Sequence, residues 1–439
     1  MKQLVKAYHP YQQLVNGGAA ELHAYVDEVC DRVEEVDGEI LALMDDESGE
    51  ARRKRLHKEA DLLLLKFPTL ESRPPLFGAL FGVKDIYRVD GFETRAGSAL
   101  PASLFAGEEA SCVSKLKASG ALVLGKTVTT EFAYFEPGPT KNPHDLRRTP
   151  GGSSSGSAAA VAAGLCCFAL GTQTAGSIIR PAAFCGVVGF KPSYNRINAK
   201  GLVAFAPSLD HVGYFTQTVR TATNIAPVLL DDYREIKSKK PVLAVPALKT
   251  GSYFDGLVDA EALKIFEASV EKLENKGFTV KRLGETFQDL QEYLALHRHL
   301  MAFEIAEVHK DWYKPHERLY RSRTKGLIDA GLAIADADAA KKGQAVLRKH
   351  LEDLMDLHDV DCFISPSAPG VPPEGLSATG DPSVCMPWTY SGLPAISLPC
   401  GSLDDMPLAI QLAARYYHDE ALLAYAQIIE DALLESSST

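Results

Sequence analysis

Apolar side chains recur at helical spacing over residues 20–65, interrupted near 45–49, which predicts two N-terminal helices. The pattern then changes. ESRPPLFGALFGVKDIYRVDG alternates apolar and polar positions between Pro and Gly, predicting a strand pair that ends near Val89. CVSKLKASGALVLGKTV reads as helix, turn and a short buried strand at 121–124. A helix is expected over 154–165, a strand over 168–171 and another in VVGFKP. Beyond residue 216, PVLAVPAL, a helix over 259–276 and FTVKRL form a βαβ unit, and long charged helices run on to His358. DCFISPSAP and AISLPCG return to strand-like runs. Alternating strands and helices predict an α/β fold, a mixed twisted sheet covered by helices on both faces. One discontinuous domain accommodates the order: N-terminal helices at 1–65, a core at 66–216 and 361–439, and a βαβ and helical insertion at 217–360. The terminal SSST is expected to fray.

Composition narrows the class more than the chemistry. A chain of 439 residues exceeds the usual size of a single core, so length alone suggests two or three domains, against the single discontinuous one read above. Its 46% hydrophobic and 23% charged residues are those of an ordinary globular protein. No apolar run reaches the roughly 18 residues of a membrane span, and MKQLVKAYHPYQQ lacks the apolar stretch of a secretory signal. Eight cysteines are scattered with no C-x-x-C pair, several in apolar runs. Reduced thiols and a cytoplasmic location are expected. The net charge of −11 disfavours a nucleic-acid partner. Arg52, Arg53, Lys54 and Arg55, flanked by Glu50 and Glu59, read as a solvated helix face.

Candidate chemistry concentrates in TPGGSSSGSAAAVAAGLCCFALGTQTAGSIIRPAAFCGVVGFKPS, residues 149–193. Two serine clusters of small residues, GGSSSGS and TAGS, flank a run too apolar for a surface linker. Amides and hydroxyls crowded in a dry place suit a nucleophile with an oxyanion-stabilising loop. Two coincidental motifs need weighing. GALVLGKT fits a phosphate-binding P-loop, but its four middle residues read as a strand rather than a loop, leaving Lys126 a structural role. GSSSG, with Ser154 at its centre, fits the nucleophile elbow of an α/β-hydrolase-like esterase. That elbow needs a strand directly before it, whereas HDLRRTPGG is a polar loop. None of His211, His299, His350 and His418 has a context that marks it as a base. Lys84 follows Phe81 and Val83 in a predicted strand and should point inward, where burial favours its neutral form. The alternative is an ion pair with Asp85.

The block resembles the signature of the amidase signature family of serine hydrolases. GVKD at Gly82–Asp85 stands where that family keeps its lysine, and Ser177 lies 24 positions after Ser153, the family's serine spacing. The resemblance covers residues 66–216 strongly and PSAP, GLPAISLP and LAIQLAA within 361–412 moderately. It implies Ser177 as nucleophile, Ser153 as bridging serine after a cis Gly152–Ser153 peptide, and Lys84 as base. It also implies an oxyanion hole from the amides of Thr174, Ala175, Gly176 and Ser177. The expected reaction is hydrolysis of a carboxamide through a seryl acyl-enzyme, with no metal or cofactor. The partner would be a small amide, with no nucleic acid and no membrane, and a homodimer is compatible. The chain departs from the family's D-x-G-G-S-I-R at Gln173, Ala175 and Arg180. T-Q-T-x-G-S-x-I-R-P, with ATGDP at 378–382, resembles malonamidase-type members most, which implies that Arg180 holds a substrate carboxylate. The other possibility is that Arg180 pairs with a core carboxylate such as Asp210. Rival readings are a neutral- or aryl-amide hydrolase, a catalytically idle scaffold, and an A-type amidotransferase component.

Overall fold

A ten-stranded mixed sheet forms the centre of the computed structural model, which describes residues 3–7, 17–237, 239–246, 256–284, 286–287 and 290–435. The strands are β1 (Leu80–Lys84), β2 (Leu122–Thr127), β3 (Phe168–Gln173), β4 (Val188–Lys191), β5 (His211–Thr216), β6 (Val242–Pro246), β7 (Thr279–Leu283), β8 (Cys362–Pro366), β9 (Ala395–Leu403) and β10 (Met406–Ala414). Their spatial order is β2-β1-β3-β5-β4-β9-β10-β8-β6-β7. Parallel trios, β2-β1-β3 and β8-β6-β7, stand at the two ends, and antiparallel pairing fills the middle. Every residue of β1, β2, β3, β4 and β5 is buried, as strands covered on both faces require.

Two large apolar clusters occupy the faces of the sheet. The helix Ser155–Ala162, SGSAAAVA, is buried throughout. Its small residues let it lie against main chain: a Cβ on Gly156 would run into the Ala42 carbonyl and the Val128 amide. The N-terminal helices Ala19–Ile40 and Gly49–Lys66 pack on one another, and Ser48 caps the second by accepting from the Ala51 amide at 3.2 Å.

The expected strand pair over 71–91 is not formed. Only β1 is a strand; the chain then turns, with isolated bridges Tyr87–Leu202 and Val89–Phe92. Asp85 explains the break, since its side chain accepts from the Arg95 amide and closes the loop on itself. The strand expected at 121–124 runs on to Thr127, which carries Lys126 into the sheet. The expected βαβ unit is present, with helix Ala260–Asn275 between parallel β6 and β7. Because β6 pairs with β8, this part of the 217–360 segment extends the sheet. Ala247 and Leu248 of PVLAVPAL and the SSST terminus lie outside the described residues. Helices Leu290–His316, Ser322–Leu332 and Asp338–Leu357 follow and reach back to the core around residues 174, 208 and 390.

Candidate active site

Lys84 ends β1 and is fully buried. Its Nζ lies 2.7 Å from Ser153 Oγ and 2.8 Å from Thr172 Oγ1, and no carboxylate bonds it among the described residues. Burial drives its pKa well below the ordinary lysine value, against a weaker opposing pull from Asp210. The neighbouring Asp85 is engaged elsewhere, 2.7 Å from Lys126 Nζ on β2, with both side chains buried. Lys126 is thus a structural cation inside a strand, with no phosphate loop around it.

The peptide Gly152–Ser153 is cis. Its neighbourhood is tied down from three sides. The Gly152 carbonyl accepts from Arg180 Nη2 at 2.6 Å, and the Ser153 carbonyl accepts from the Thr130 amide at 3.2 Å. A Cβ on Gly152 would come within 2.7 Å of the Thr379 methyl. Ser154, centre of the elbow motif, starts the buried helix, and its hydroxyl exchanges hydrogen bonds with the main chain of Thr172. The segment before it is loop rather than strand.

Ser177 lies in the turn between β3 and helix Ile179–Cys185. Gln173 organises this turn. Its Oε1 accepts from the amides of Ile178 and Ile179 at 2.8 and 2.9 Å, while its Nε2 donates to Thr389 Oγ1. The amides of Thr174, Ala175, Gly176 and Ser177 donate no hydrogen bond to any described residue. Four consecutive open donors beside a serine could hold a developing oxyanion. The departure at Gln173 therefore loses no anchoring: a neutral amide accepts from the turn and donates out of it at once.

Two groups hold the far side of the turn. Thr174 Oγ1 donates to Asp210 Oδ1 at 2.6 Å. The Thr174 carbonyl accepts from His297 Nε2 at 2.7 Å, delivered by helix Leu290–His316. Burial lowers the His297 pKa to about 4, so the ring is neutral at neutral pH. Burial raises that of Asp210 to about 6. Asp210 also accepts from the amides of Phe205 and Ala206. Three donors thus hold its carboxylate.

Arg180 makes no ion pair with Asp210; its side-chain hydrogen bonds run elsewhere, and the carboxylate whose charge acts on it is Asp381. Arg180, 1% exposed, makes hydrogen bonds through Nη2 alone, to the Gly152 carbonyl and to Thr379 Oγ1 at 3.2 Å. Its Nε and Nη1 have no partner among the described residues. The guanidinium stands 5.7 Å from the Phe135 ring centroid, and burial lowers its pKa to about 10. Beyond it, Tyr134, Phe135, Arg323, Gly326, Leu327, Ala330, Ala378, Thr379 and Gly380 line a cleft of about 520 Å³.

The structure places Lys84 and Ser153, both singled out in the sequence, within hydrogen-bond distance, and Ser177 and Arg180 in the adjoining turn and helix; Thr172, Thr379, Thr389, His297 and Phe135, and Gln173 as an anchor, were not singled out as supports. Thr172 and Thr379 stand inside T-Q-T-x-G-S-x-I-R-P and ATGDP without being read as supports, Gln173 was visible as a departure, and His297, Thr389 and Phe135 stand in no quoted motif. No cluster of three or more His, Cys, Asp and Glu side chains suited to a metal occurs among the described residues. No described helix is long and apolar enough to cross a membrane.

Comparison with known proteins places the chain. The amidase family model matches residues 24–423. The A-type component of the glutamyl-tRNA(Gln) amidotransferase of Exiguobacterium sibiricum is 32% identical over 476 aligned positions, covering 95% of both chains. A crystal structure of an amidase superposes with a TM-score of 0.84 at 29% identity, covering 96% of this chain and 98% of that one. The A-type component of the Thermotoga maritima glutamyl-tRNA(Gln) amidotransferase superposes with a TM-score of 0.77 at 25% identity, over 96% and 94% of the two chains. With a family match running nearly end to end and a fold shared over 96% of the chain with a solved amidase, the chain belongs to the amidase family and hydrolyses amide C–N bonds.

Proposed function

We propose that Ser177 is the nucleophile, Ser153 the proton relay and Lys84 the base, acting on a small amide that carries a carboxylate. The observation that carries the triad is Lys84 Nζ buried 2.7 Å from Ser153 Oγ, with no carboxylate bonded to it among the described residues. As a neutral amine it accepts the Ser153 proton while Ser153 accepts that of Ser177. Ser177 Oγ then bonds to the carbonyl carbon, and the oxygen takes up negative charge against the amides of residues 174–177. Collapse breaks the C–N bond, the proton returning through Ser153 to the leaving nitrogen. Water adds to the acyl-enzyme by the same relay and releases the acid.

Substrate class rests on Arg180. A buried guanidinium whose Nε and Nη1 have no partner among the described residues, and which no described carboxylate bonds although Asp381 acts on it at longer range, has donors left for a further anion. A substrate carboxylate would complete its fork, as the malonamidase-like form of residues 172–181 also suggests. The test compares malonamate with neutral amides of the same size. Arg180→Ala should raise KM for malonamate by about tenfold or more, with a smaller effect on the neutral amides. Equal losses on both sets would make this a neutral-amide hydrolase.

A second reading, an A-type amidotransferase component, is favoured by the 32% identical relative. It expects slow hydrolysis by the isolated chain and stimulation by partner proteins. Rapid turnover of free amides by the purified chain, in whatever oligomer light scattering reveals (a homodimer is our expectation), decides against it.

A further inference from the structure

The cleft beyond Arg180 gathers positive charge in a chain whose net charge is −11. Arg323 lines it, and a second guanidinium acts on the same wall. Burial raises the pKa of the Tyr134 hydroxyl, and the two charges that pull it back are those of Arg323 and Arg298. Phe135, next in sequence, meets two arginines at once. The Arg180 guanidinium lies 5.7 Å from its ring centroid, and Arg323 Nη1 donates to its carbonyl at 2.8 Å.

The nearby acids are engaged with other groups. Glu136 accepts from the Arg323 amide and the Ser322 hydroxyl, and its ion pair, at 3.4 Å, is with Arg321. Glu131, fully buried, accepts from the Arg321 amide. Two arginines two positions apart therefore differ. Arg321 has a carboxylate, whereas the Arg323 side chain bonds only the neutral Phe135 carbonyl among the described residues. That bond uses Nη1, which ties the guanidinium to the cleft wall. It leaves free the Nε–Nη2 edge, on which a carboxylate can bind through two parallel hydrogen bonds. Arg298, on helix Leu290–His316, bonds no described carboxylate either.

We propose that Arg323 is a second anion-binding residue of the site, so that the substrate is a small amide with two carboxylates, one held at Arg180 and the other at Arg323. The inference rests on the carboxylate reading of Arg180 and specifies it further. The cleft, about 520 Å³, falls within the roughly 300–1,000 Å³ of sites that bind organic ligands, so a second acidic arm fits beside the first. Arg323 is exposed, and an ion pair in contact with water is a modest one. The preference expected from it is about three- to fivefold.

The test pairs malonamates of matched size that differ in the second charge. N-carboxymethyl is set against N-isobutyl malonamate, and 2-carboxymethyl against 2-isobutyl malonamate, which puts the second acid on the leaving or the acyl side. Binding is measured calorimetrically on Ser177→Ala protein, and kcat/KM on the active enzyme. The diacid of at least one pair should be preferred about threefold or more, chiefly through KM. Arg323→Gln should bring that ratio to one or below, and Arg323→Lys should keep part of it, since the charge stays and the fork is lost. Arg220→Gln, which removes an exposed charge from helix Val219–Leu229 outside the cleft, should leave the ratio unchanged. A wild-type ratio of one or below, or a ratio that Arg323→Gln leaves intact, overturns the second anion site. Should malonamate still be preferred over neutral amides in that case, the Arg180 reading survives alone. A ratio abolished by Arg323→Gln, with every malonamate indifferent to Arg180→Ala, keeps the Arg323 contact and removes the Arg180 reading, so the two fail separately.

Discussion

Lys84 and Lys126 sit on adjacent parallel strands, one register step apart, and both are buried, yet their surroundings differ completely. Lys126 meets Asp85 at 2.7 Å and further accepting groups at Thr94 and Glu93. Lys84 bonds two hydroxyls and, among the described residues, no carboxylate. A buried ammonium has two escapes, pairing or losing its proton, and neighbouring residues of one sheet take one each. The difference separates a lysine that holds the fold from one free to move protons. GVKD places the acid next to the wrong lysine for an ion pair: Asp85 follows Lys84 in sequence but lies in the turn after β1, where its side chain meets Lys126 instead.

Substitution should break the pair in opposite ways. Lys84→Met should reduce kcat by three orders of magnitude or more, with stability unchanged or improved because a desolvated amine is gone. Lys126→Met leaves Asp85 as an unpaired buried acid and should cost about 3–5 kcal/mol of stability. Urea titration alongside an amide-release assay reads both. Equal destabilisation by the two variants would remove the distinction.

Acidity sharpens the same contrast. Unfolded, Lys84 holds its proton to about pH 10.4, whereas in the fold it loses it at a much lower pH. Between those values the unfolded chain binds more protons, so stability rises with pH across the window, and Lys84→Met should abolish that rise. Activity should climb with pH as the folded amine deprotonates. Asp210 runs the other way. Its folded pKa of about 6 exceeds the ordinary carboxyl value of about 3.9, so its contribution to stability falls as pH rises through that interval. Asp210→Asn should flatten that fall in a thermal-melt series.

Smaller effects come from the supports. His297→Ala removes the donor to the Thr174 carbonyl and should lower kcat about tenfold with KM little changed, because the turn and not the binding cleft loses its anchor. Ser154→Ala should be the mildest, costing about 1 kcal/mol for its buried hydrogen bonds and changing kcat less than threefold. A larger kinetic loss at Ser154 than at Ser177 would return the elbow reading to consideration.

What the sequence made legible follows from where information sits along it. Lys84, Ser153 and Ser177 stand in short stretches whose glycine, serine and alanine content is itself unusual, so motif and spacing could identify them as candidates. β5 and β10, by contrast, do not stand out as strands, and His297 and Thr389 reach the site only through tertiary packing. The expected strand pair at 71–91 failed because alternation also describes a turn closed by Asp85. Arg180 was visible, but its partner could not be chosen from sequence, since whether Asp210 is free depends on Thr174 and two loop amides.

The rate of covalent labelling by a fluorophosphonate, followed against pH with the tagged peptide identified by mass, tests the central claim most directly. The account predicts a single adduct on Ser177, formed at a rate that rises with pH to a plateau well below the ordinary lysine pKa. It also predicts that Lys84→Met both slows labelling by orders of magnitude and erases the pH dependence. An adduct on Ser154, or labelling of Ser177 at an unchanged rate and pH profile in Lys84→Met, would contradict it.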